Sequence, residues 1–298
     1  MRASGLVFVW TMLAIPIAQF IVFWLVPNFD SLLMAFQNPS VDGLTFMNFQ
    51  RFWHELTLPN STLVIAIENT LIYFAVHIFI GMPIVVFIAF VLFKNVPGGK
   101  FFRVLFYLPS IVGGPVTAGI YRYLVSTGGP VEAILTWMHI PFDSQLGLLG
   151  NPETAFLMCI IYSLWTGVGI NMIMFYGALN RIPKEIFESA KMDGAGFWRQ
   201  FAQIAVPLIW PTITTMLVFL MSSIFTTYSC VMLLCPQTPQ ADMIGWYIVR
   251  YTVYTSNAAG DEVLNYPAAV GFVFTLIGFP LTLLVKKVCE KISSTVEY

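Results

Sequence analysis

The sequence predicts an all-α integral membrane protein with six transmembrane helices and both termini in the cytoplasm. Hydrophobic residues make up 58% of the 298 residues and charged residues only 10%, whereas soluble domains carry about 25% charged residues. The chain therefore has too few charges to cover a globular surface, and the lipid bilayer is its natural solvent. The net charge of −1 gives no reason to expect nucleic-acid binding.

Six apolar segments are long enough to cross a bilayer, which takes about 20 residues. They cover approximately residues 6–26, 64–93, 102–124, 155–179, 205–234 and 266–285. The third contains Pro109, Gly113, Gly114 and Pro115. Proline removes a backbone donor and glycine lowers helix stability, so we expect this span to be bent or broken. The first segment is longer than a signal-peptide core and is expected to be a retained span.

The basic residues orient these spans. With a cytoplasmic N-terminus, that side holds Arg2, Lys94, Lys100, Arg103, Arg181, Lys184, Lys191, Arg199, Lys286, Lys287 and Lys291. The outer side then holds Arg51, Arg122 and Arg250. Because cytoplasmic loops carry an excess of Lys and Arg, the asymmetry predicts that both termini, and the polar segment between spans four and five, are cytoplasmic.

We divide the chain after the first outer loop. Residues 1–63 are predicted to form the first transmembrane helix and an external loop, and residues 64–298 a five-helix core with a cytoplasmic helix-turn-helix at about 181–204. The long acidic outer loops are expected to hold short helices and turns that form a mouth. No metal site is predicted. Four scattered cysteines favour free thiols, and a Cys230–Cys235 pair stays open.

The cytoplasmic polar segment has the pattern of two short helices joined by a turn. Ile182, Ile186 and Ala190 follow helical spacing. Asp193-Gly194 is a turn signal because glycine accepts positive φ, and Asp193 is expected to cap the second helix. Small residues here permit close approach, and a short helix in a partner's groove is a common recognition mode. The alternative is an amphipathic loop that only packs beneath its own bundle.

This segment resembles the EAA loop of ABC-importer permeases. Residues 179–195 read Leu-Asn-Arg-Ile-Pro-Lys-Glu-Ile-Phe-Glu-Ser-Ala-Lys-Met-Asp-Gly-Ala, and Phe201, Pro207 and Pro211 follow. The usual order is E-A-A, two residues, D-G-A, then a spaced F and a P. This chain departs from it once, at Ser189, and serine is also small.

Nearly the whole chain is similar to sugar-importer permeases of the maltose-permease large-subunit type, without the extra N-terminal spans and large external insert of that protein. The matching stretches are Asn69-Thr70-Leu71, Phe106-Tyr107-Leu108-Pro109 and Trp165-Thr166-Gly167-Val168-Gly169. The resemblance implies a type I ABC-importer permease fold in a bacterial or archaeal plasma membrane. It also implies a subunit of an ATP-driven, binding-protein-dependent importer for an oligosaccharide or another carbohydrate.

The resemblance further implies a set of partners. A second permease, expected to be a different chain, completes the path; two ATPase subunits bind beneath, and an external solute-binding protein delivers the carbohydrate. The residues implied to couple to the ATPase, within the loop 188–207, are Glu188, Ser189, Ala190, Asp193, Gly194, Ala195 and Phe201. The chain is not expected to be an enzyme or to hold a cofactor. Gly98-Gly99-Lys100 lacks the first glycine of a phosphate loop and precedes a Phe, so ATP and Mg belong to the partner.

Polar residues inside the spans are the candidates for the solute path, because such residues are costly in lipid. By resemblance, spans four and five supply solute contacts. The candidates are Ser163, Trp165, Thr166, Gly167 and Asn171 in span four, and Ser222, Ser223, Thr226, Thr227 and Tyr228 in span five. The span-five hydroxyls are expected to form a helical stripe. The alternative is that Ser and Thr bond helix backbones and join neighbouring helices.

Two further functions stay open. In the first, the chain belongs to the same class of importer but its solute is a polyol, a glycerol-phosphate-type compound or an acidic saccharide. Arg122, beside Tyr121 and Tyr123, would then be the anion site. An ion-coupled carrier or intramembrane enzyme needs paired acids or inverted repeats. Glu68 is instead expected to be an interfacial acid, and His77 a helix–helix hydrogen-bonding residue.

Overall fold

The computed structural model describes residues 3–38, 41–94, 96–140, 146–255 and 264–293. Its contacts divide the chain into two compact units. One unit contains Met1–Pro59 and Ile248–Leu276, and the other contains Asn60–Tyr247 and Ile277–Tyr298. The predicted boundary at residue 63 stays a prediction.

Four described helices are long and apolar enough to cross a membrane: Phe8–Ala35, Thr62–Phe93, Ala155–Leu179 and Asn265–Ile292. Two further spans are bent pairs. Gly99–Ile111 and Gly114–Trp137 meet at 104°, and Phe197–Leu208 and Trp210–Ser222 meet at 66°. With each bent pair counted once, the described residues hold the six predicted spans, and we number these spans one to six in chain order.

The first unit begins with helical segments Ala3–Phe20, Ile21–Leu25 (π) and Val26–Ala35, followed by strands Gln37–Asn38 and Val41–Leu44 and helix Met47–Thr57. The two strands pair antiparallel and form a short hairpin in a chain that is otherwise mostly helical, as predicted. The buried Asn48 amide donates to the carbonyls of Ala35 and Gln37 at 3.1 and 2.8 Å, which holds the end of span one against the next helix.

The second unit contains most of the helices that surround the site. Its segments are Thr62–Val76, His77–Gly81 (π), Met82–Phe93, Gly99–Ile111, Gly114–Val125, Pro130–Trp137, Gly147–Gly150, Ala155–Leu179, Lys184–Met192, Phe197–Arg199, Gln200–Ala205 (π), Val206–Leu208, Trp210–Ser222, Ser229–Leu234 and Pro239–Ala241 (3₁₀). Ile244–Arg250, Tyr251–Thr255 (π) and the last helix, Asn265–Ser293, complete the chain. Short helices at 130–137 and 147–150 lie where an external mouth was expected.

The bend in span three follows from its prolines and glycines. The first half ends at Ile111, and the second begins at Gly114 with Pro115 in its first turn. Proline suits the first turn because its missing N–H would have no partner there. The prediction of a broken third span is confirmed.

Span five differs from its prediction. The predicted apolar segment 205–234 is not one helix, because the helix ends at Ser222 and the short helix Ser229–Leu234 follows a turn. The amides of Thr226 and Thr227 both donate to the Ser223 carbonyl at 3.1 Å. Hydroxyl side chains stabilise such turns in competition with a helix.

Span four lies in the core of the second unit, and Gly169 explains how it packs. A Cβ at this position would lie 2.5 Å from the Phe106 carbonyl oxygen and 2.9 Å from the Tyr107 Cα. Only glycine lets span four approach the backbone of span three this closely. The Gly at the end of the Trp165–Gly169 stretch therefore has a packing role.

Candidate functional site

The cytoplasmic corner, which we define as residues 184–195, is a helix closed by a left-handed glycine. Helix Lys184–Met192 is followed by Gly194 with a φ of +78°. The Ala195 amide donates to the Ala190 carbonyl at 2.9 Å and the Gly194 amide to the Lys191 carbonyl at 3.1 Å. This pair of bonds is a Schellman motif, which satisfies the last carbonyls of a helix. It fixes the direction in which the chain leaves the corner.

The predicted coupling residues differ in exposure. Glu188, Ser189, Asp193 and Gly194 are exposed, Ala190 is half-buried, and Ala195 is buried. A Cβ added at Gly194 would meet no atom within 4 Å. The expectation that Asp193 caps the second helix is wrong: Asp193 is the C-cap of the first helix, and Gly196 precedes the second. The exposed surface of the corner thus combines acidic and small side chains with Lys184, Lys191 and Met192.

Lys94, at the cytoplasmic end of span two, anchors the chain that follows the corner. Its Nζ donates to Gln200 Oε1 at 2.5 Å, and Gln200 Nε2 donates to the Ala195 carbonyl at 2.6 Å. The same Nζ lies 4.1 Å from the centroid of the Phe187 ring, in cation–π distance. Burial, and then the charge of Lys191, lowers the pKa of Lys94. One lysine thus contacts both helices of the predicted helix-turn-helix.

An aromatic layer lies between the corner and span two. Phe201 is half-buried, and its ring centroid lies 5.2 Å from that of Phe90 and 5.6 Å from that of Phe87. Trp198 stacks on Phe87 at 5.4 Å and 10°. Aromatic pairs at these distances add stability beyond their buried area. The predicted coupling residue Phe201 therefore belongs to the support of the corner rather than to its exposed face.

The first cavity, which we call the His77 cavity, has a volume of about 210 Å³ and lies between spans two, four and five. Its polar lining residues are His77, Ser163, Trp165 and Asn171. His77 Nδ1 donates to the Tyr73 carbonyl at 2.8 Å, and Nε2 lies 3.2 Å from Ser163 Oγ. Because a carbonyl only accepts, His77 Nδ1 carries a hydrogen. The Ser163 hydroxyl also donates to the Ile160 carbonyl at 2.8 Å, so Ser163 joins His77 to the backbone of span four.

The second cavity, which we call the hydroxyl cavity, has a volume of about 330 Å³ and lies beside the bend of span three. Most of its polar lining residues carry hydroxyl groups: Tyr73, Ser110, Thr117, Tyr162, Ser163, Thr166, Thr227 and Ser229. Ser163 lines both cavities. In the described part of the chain, no Lys, Arg, Asp or Glu lines either cavity.

The sequence matches the family model of binding-protein-dependent transport system inner membrane components over residues 67–293. This match covers most of the chain. The chain belongs to that family. It is therefore a multi-pass membrane permease of an importer that works with a binding protein.

Similar proteins include several curated permeases. The multiple sugar-binding transport system permease protein MsmF of Streptococcus mutans is 26% identical over 93% of this chain and 93% of its own. The arabinooligosaccharides transport system permease protein AraP of Bacillus subtilis is 25% identical over 90% and 84%. The sn-glycerol-3-phosphate transport system permease protein UgpA of Escherichia coli is 27% identical over 70% of each chain.

A solved structure supports the same fold. A chain of a bacterial ABC transporter involved in the import of the acidic polysaccharide alginate superimposes with a TM-score of 0.82, at 24% identity, over 96% of both chains. At this identity the likeness shows the fold alone, and that fold is the type I importer permease fold expected from the sequence.

The permease brings some of the predicted path residues together and separates others. Ser163, Trp165, Gly167 and Asn171 line the His77 cavity, and Ser163, Thr166 and Thr227 line the hydroxyl cavity. Outside both linings lie Ser222, Ser223, Thr226 and Tyr228. The expected helical stripe is wrong, because span five ends at Ser222. The solute-path role of all ten residues stays a prediction.

The cavities also contain residues that the sequence did not single out. Tyr73, Ser110, Thr117, Tyr162 and Ser229 join the hydroxyl cavity, although each is an ordinary helix residue in the sequence. The only signal was their polarity within apolar segments. His77 was expected to form a hydrogen bond between helices, and its contact with Ser163 joins span two to span four.

Two other motif residues have structural roles. The Asn69 amide donates to the carbonyls of Gln240 and Asp242 at 2.8 and 2.9 Å. The Thr70 hydroxyl donates to the Ala66 carbonyl at 2.6 Å and accepts from the Ile244 amide at 3.0 Å. The Asn69-Thr70 stretch therefore holds an outer segment against span two.

Proposed function

We propose that this permease forms half of the translocation path of an ATP-driven importer for an oligosaccharide or another carbohydrate, with a second permease as the other half. Two separate ATPase subunits bind beneath the pair of permeases, the cytoplasmic corner of this chain docks on one of them, and ATP with Mg is held by those subunits. An external binding protein delivers the solute.

The coupling role is supported by the corner, which is exposed on one side and fixed on the other. Four of its exposed residues, Glu188, Ser189, Asp193 and Gly194, carry small or acidic side chains, and among the described residues neither acid forms a salt bridge. Its buried side is held by Lys94 and the aromatic layer. Small residues let a partner approach the corner closely. Because the other side of the corner is packed against span two, a movement of that partner moves the spans as well.

One observation carries the proposal that the cargo is a carbohydrate. Among the described residues, the hydroxyl cavity is lined by many hydroxyl groups and by no carboxylate, ammonium or guanidinium group. Thr166 and Thr227 donate their hydroxyl hydrogens to carbonyls of their own segments, at 3.0 and 2.9 Å. Each oxygen keeps lone pairs that accept hydrogen bonds. A carbohydrate supplies many hydroxyl donors, whereas an anionic solute needs cationic partners. The names of MsmF and AraP agree with a saccharide.

The alternative cargo, a glycerol-phosphate-type or acidic solute, is favoured by the names of UgpA and the alginate transporter. Arg122, the residue suggested as an anion site, is exposed and does not line either cavity. We therefore place the neutral saccharide first.

The test is reconstitution of the complete importer in liposomes. Uptake of labelled neutral oligosaccharides and of anionic solutes is compared, with ATP hydrolysis measured alongside. We expect ATP-dependent uptake of a neutral saccharide, and loss of both uptake and stimulated hydrolysis in Gly194→Trp, whose indole blocks the corner. Wild-type coupling in that variant contradicts the docking role. Uptake driven by a proton gradient without ATP contradicts the importer class.

A further inference from the structure

Three of the four cysteines of the chain meet at the outer end of span four. Cys159 lies in the second turn of Ala155–Leu179, and Cys235 directly follows the short helix Ser229–Leu234. The two Sγ atoms are 3.2 Å apart although the residues are 76 positions apart in sequence. Cys230, on the same short helix, also contacts Cys159. Cys289 lies elsewhere in the chain, near the end of span six.

The distance between Cys159 and Cys235 is short for two thiols. Non-bonded carbon atoms are optimally separated by about 3.5–4.0 Å, and sulfur is larger than carbon. A disulfide needs the sulfurs at about 2.05 Å, so a shift of about one ångström brings them into bonding distance. Both residues are buried, at 0% and 4% exposure. The fold therefore holds two thiols from distant segments in a packed, nearly bonded arrangement.

The location of the pair suits oxidation. The basic residues place the start of span four and the segment around Cys235 on the outer side of the membrane. Disulfides form and persist on that side, whereas cytoplasmic thiols are kept reduced. Cys289 lies beside Lys286, Lys287 and Lys291, which places it at the cytoplasmic end of span six and makes it an internal control.

We propose that Cys159 and Cys235 form a disulfide that joins the outer end of span four to the segment after the short helix. The oxidant is an external disulfide of the thiol–disulfide exchange class. The Cys159 thiolate attacks one sulfur of that disulfide and releases one thiolate. The Cys235 thiolate then attacks the Cys159 sulfur and releases the second. Two protons pass from the cysteines to the two released thiolates, and the external disulfide is reduced. Because both cysteines are buried in the folded chain, the exchange occurs while the chain folds.

The link has a consequence for the hydroxyl cavity. Ser229, Cys230 and Leu233 line this cavity from the short helix, and Tyr162, Ser163 and Thr166 line it from span four. A bond between Cys159 and Cys235 ties these two walls together. The disulfide therefore fixes the outer part of the cavity, and reduction releases it.

Thiol counting on the full chain, isolated from membranes with its partner subunits, tests the proposal. Cells are treated with N-ethylmaleimide before lysis, the protein is denatured in more reagent, and the intact mass is measured with and without prior reduction. We expect alkylation of two thiols without reduction and of four after it. Peptide mapping then shows Cys159 linked to Cys235. Four alkylated thiols without reduction, or a link from Cys159 to Cys230, overturns the proposal.

Matched variants separate the pair from the other cysteines. Cys159→Ser leaves three thiols, and all three are expected to react without reduction. Cys289→Ser is expected to keep the link, so that one of its three thiols reacts without reduction. Because a reductant reaches the buried bond only as the chain opens, heating in the presence of reductant should lower the apparent unfolding temperature of the wild type and of Cys289→Ser, but not that of Cys159→Ser. An equal shift in all three proteins contradicts the proposed link.

Discussion

The cytoplasmic corner and the hydroxyl cavity are stabilised in different ways. The corner depends on contacts with distant parts of the chain, such as that of the Phe187 ring with Lys94 Nζ at the end of span two. The hydroxyls of the cavity bond mainly to carbonyls of their own segments, as Thr166 does to Tyr162. The corner thus has a fixed shape, whereas the hydroxyl oxygens of the cavity keep lone pairs that can accept hydrogen bonds from different ligands.

This difference explains why the corner is expected to be selective for its partner and the cavity to be tolerant of its ligand. A fixed corner that meets one kind of partner needs particular residues at particular places. A cavity lined by hydroxyls accommodates many polyhydroxy ligands, because each lone pair accepts from any suitably placed donor. Substitutions in the two regions test this contrast.

The largest effect is expected for Lys94→Met. A hydrogen bond to a charged group contributes about 1.5–3 kcal/mol, and a loss of 1.4 kcal/mol is about a tenfold change. We therefore expect roughly tenfold lower ATP hydrolysis stimulated by the loaded binding protein. Lys94→Arg should retain most of this stimulation. Lys100→Met removes the same charge from an exposed cytoplasmic position, and equal losses in Lys94→Met and Lys100→Met would show that only charge matters.

Gly194→Ala tests the backbone of the corner. An L-residue in the left-handed region costs about 1–2 kcal/mol, so we expect roughly a tenfold weaker ATPase interaction, measured as the ATPase concentration for half-maximal assembly. Gly196→Ala is the matched control. A Cβ at either position meets no atom within 4 Å, but Gly196 has a φ of −68°. Identical affinities for the two variants would mean that the turn is not needed.

Thr166→Val tests the cavity with a smaller change. One neutral hydrogen bond contributes about 0.5–1.5 kcal/mol, so the KM for uptake should rise roughly two- to tenfold while kcat changes less. Thr215→Val is the control, because Thr215 is exposed and bonds the Pro211 carbonyl at 2.9 Å without lining either cavity. A higher KM in Thr215→Val alone would place the solute path elsewhere.

The smallest effect is expected for Ser189→Ala, which restores the usual residue of the loop. Ser189 is exposed, and such substitutions usually change stability by less than about 0.5 kcal/mol. Uptake and ATP hydrolysis should match the wild type. Ser189→Trp is expected to keep the fold but to place a large indole where the ATPase docks, so that ATP hydrolysis no longer drives uptake. If both variants couple normally, the exposed face of the corner has no close partner.

The turn of the corner was readable from sequence because its determinants are local. Asp193-Gly194 marks the turn, and the left-handed Gly194 follows from it. The bend of span three was equally local, because proline and glycine act on their own helix. The role of Asp193 could not be read from the sequence, because a residue beside a glycine can end one helix or begin the next.

The rest depended on tertiary contacts. Nothing near Lys94 in the sequence indicates Gln200 as its partner. The hydroxyls of 222–227 have helical spacing, but hydrogen bonds to the Ser223 carbonyl stabilise a turn instead. The hydroxyl cavity combines residues of several segments, each of which looks unremarkable alone. Its composition could be predicted only in part, from the polar residues of span four.

The proposed function requires that the cytoplasmic corner contacts a separate ATPase subunit. The most direct measurement is photo-crosslinking from a benzophenone attached to Met192→Cys, because Met192 is 88% exposed and the native cysteines are buried. Trp137→Cys, at a position that is 79% exposed and predicted to be external, is the control. In the assembled importer, we expect a crosslink to the ATPase from position 192 and none from position 137. An assembled importer without an ATPase crosslink from position 192 would contradict the account.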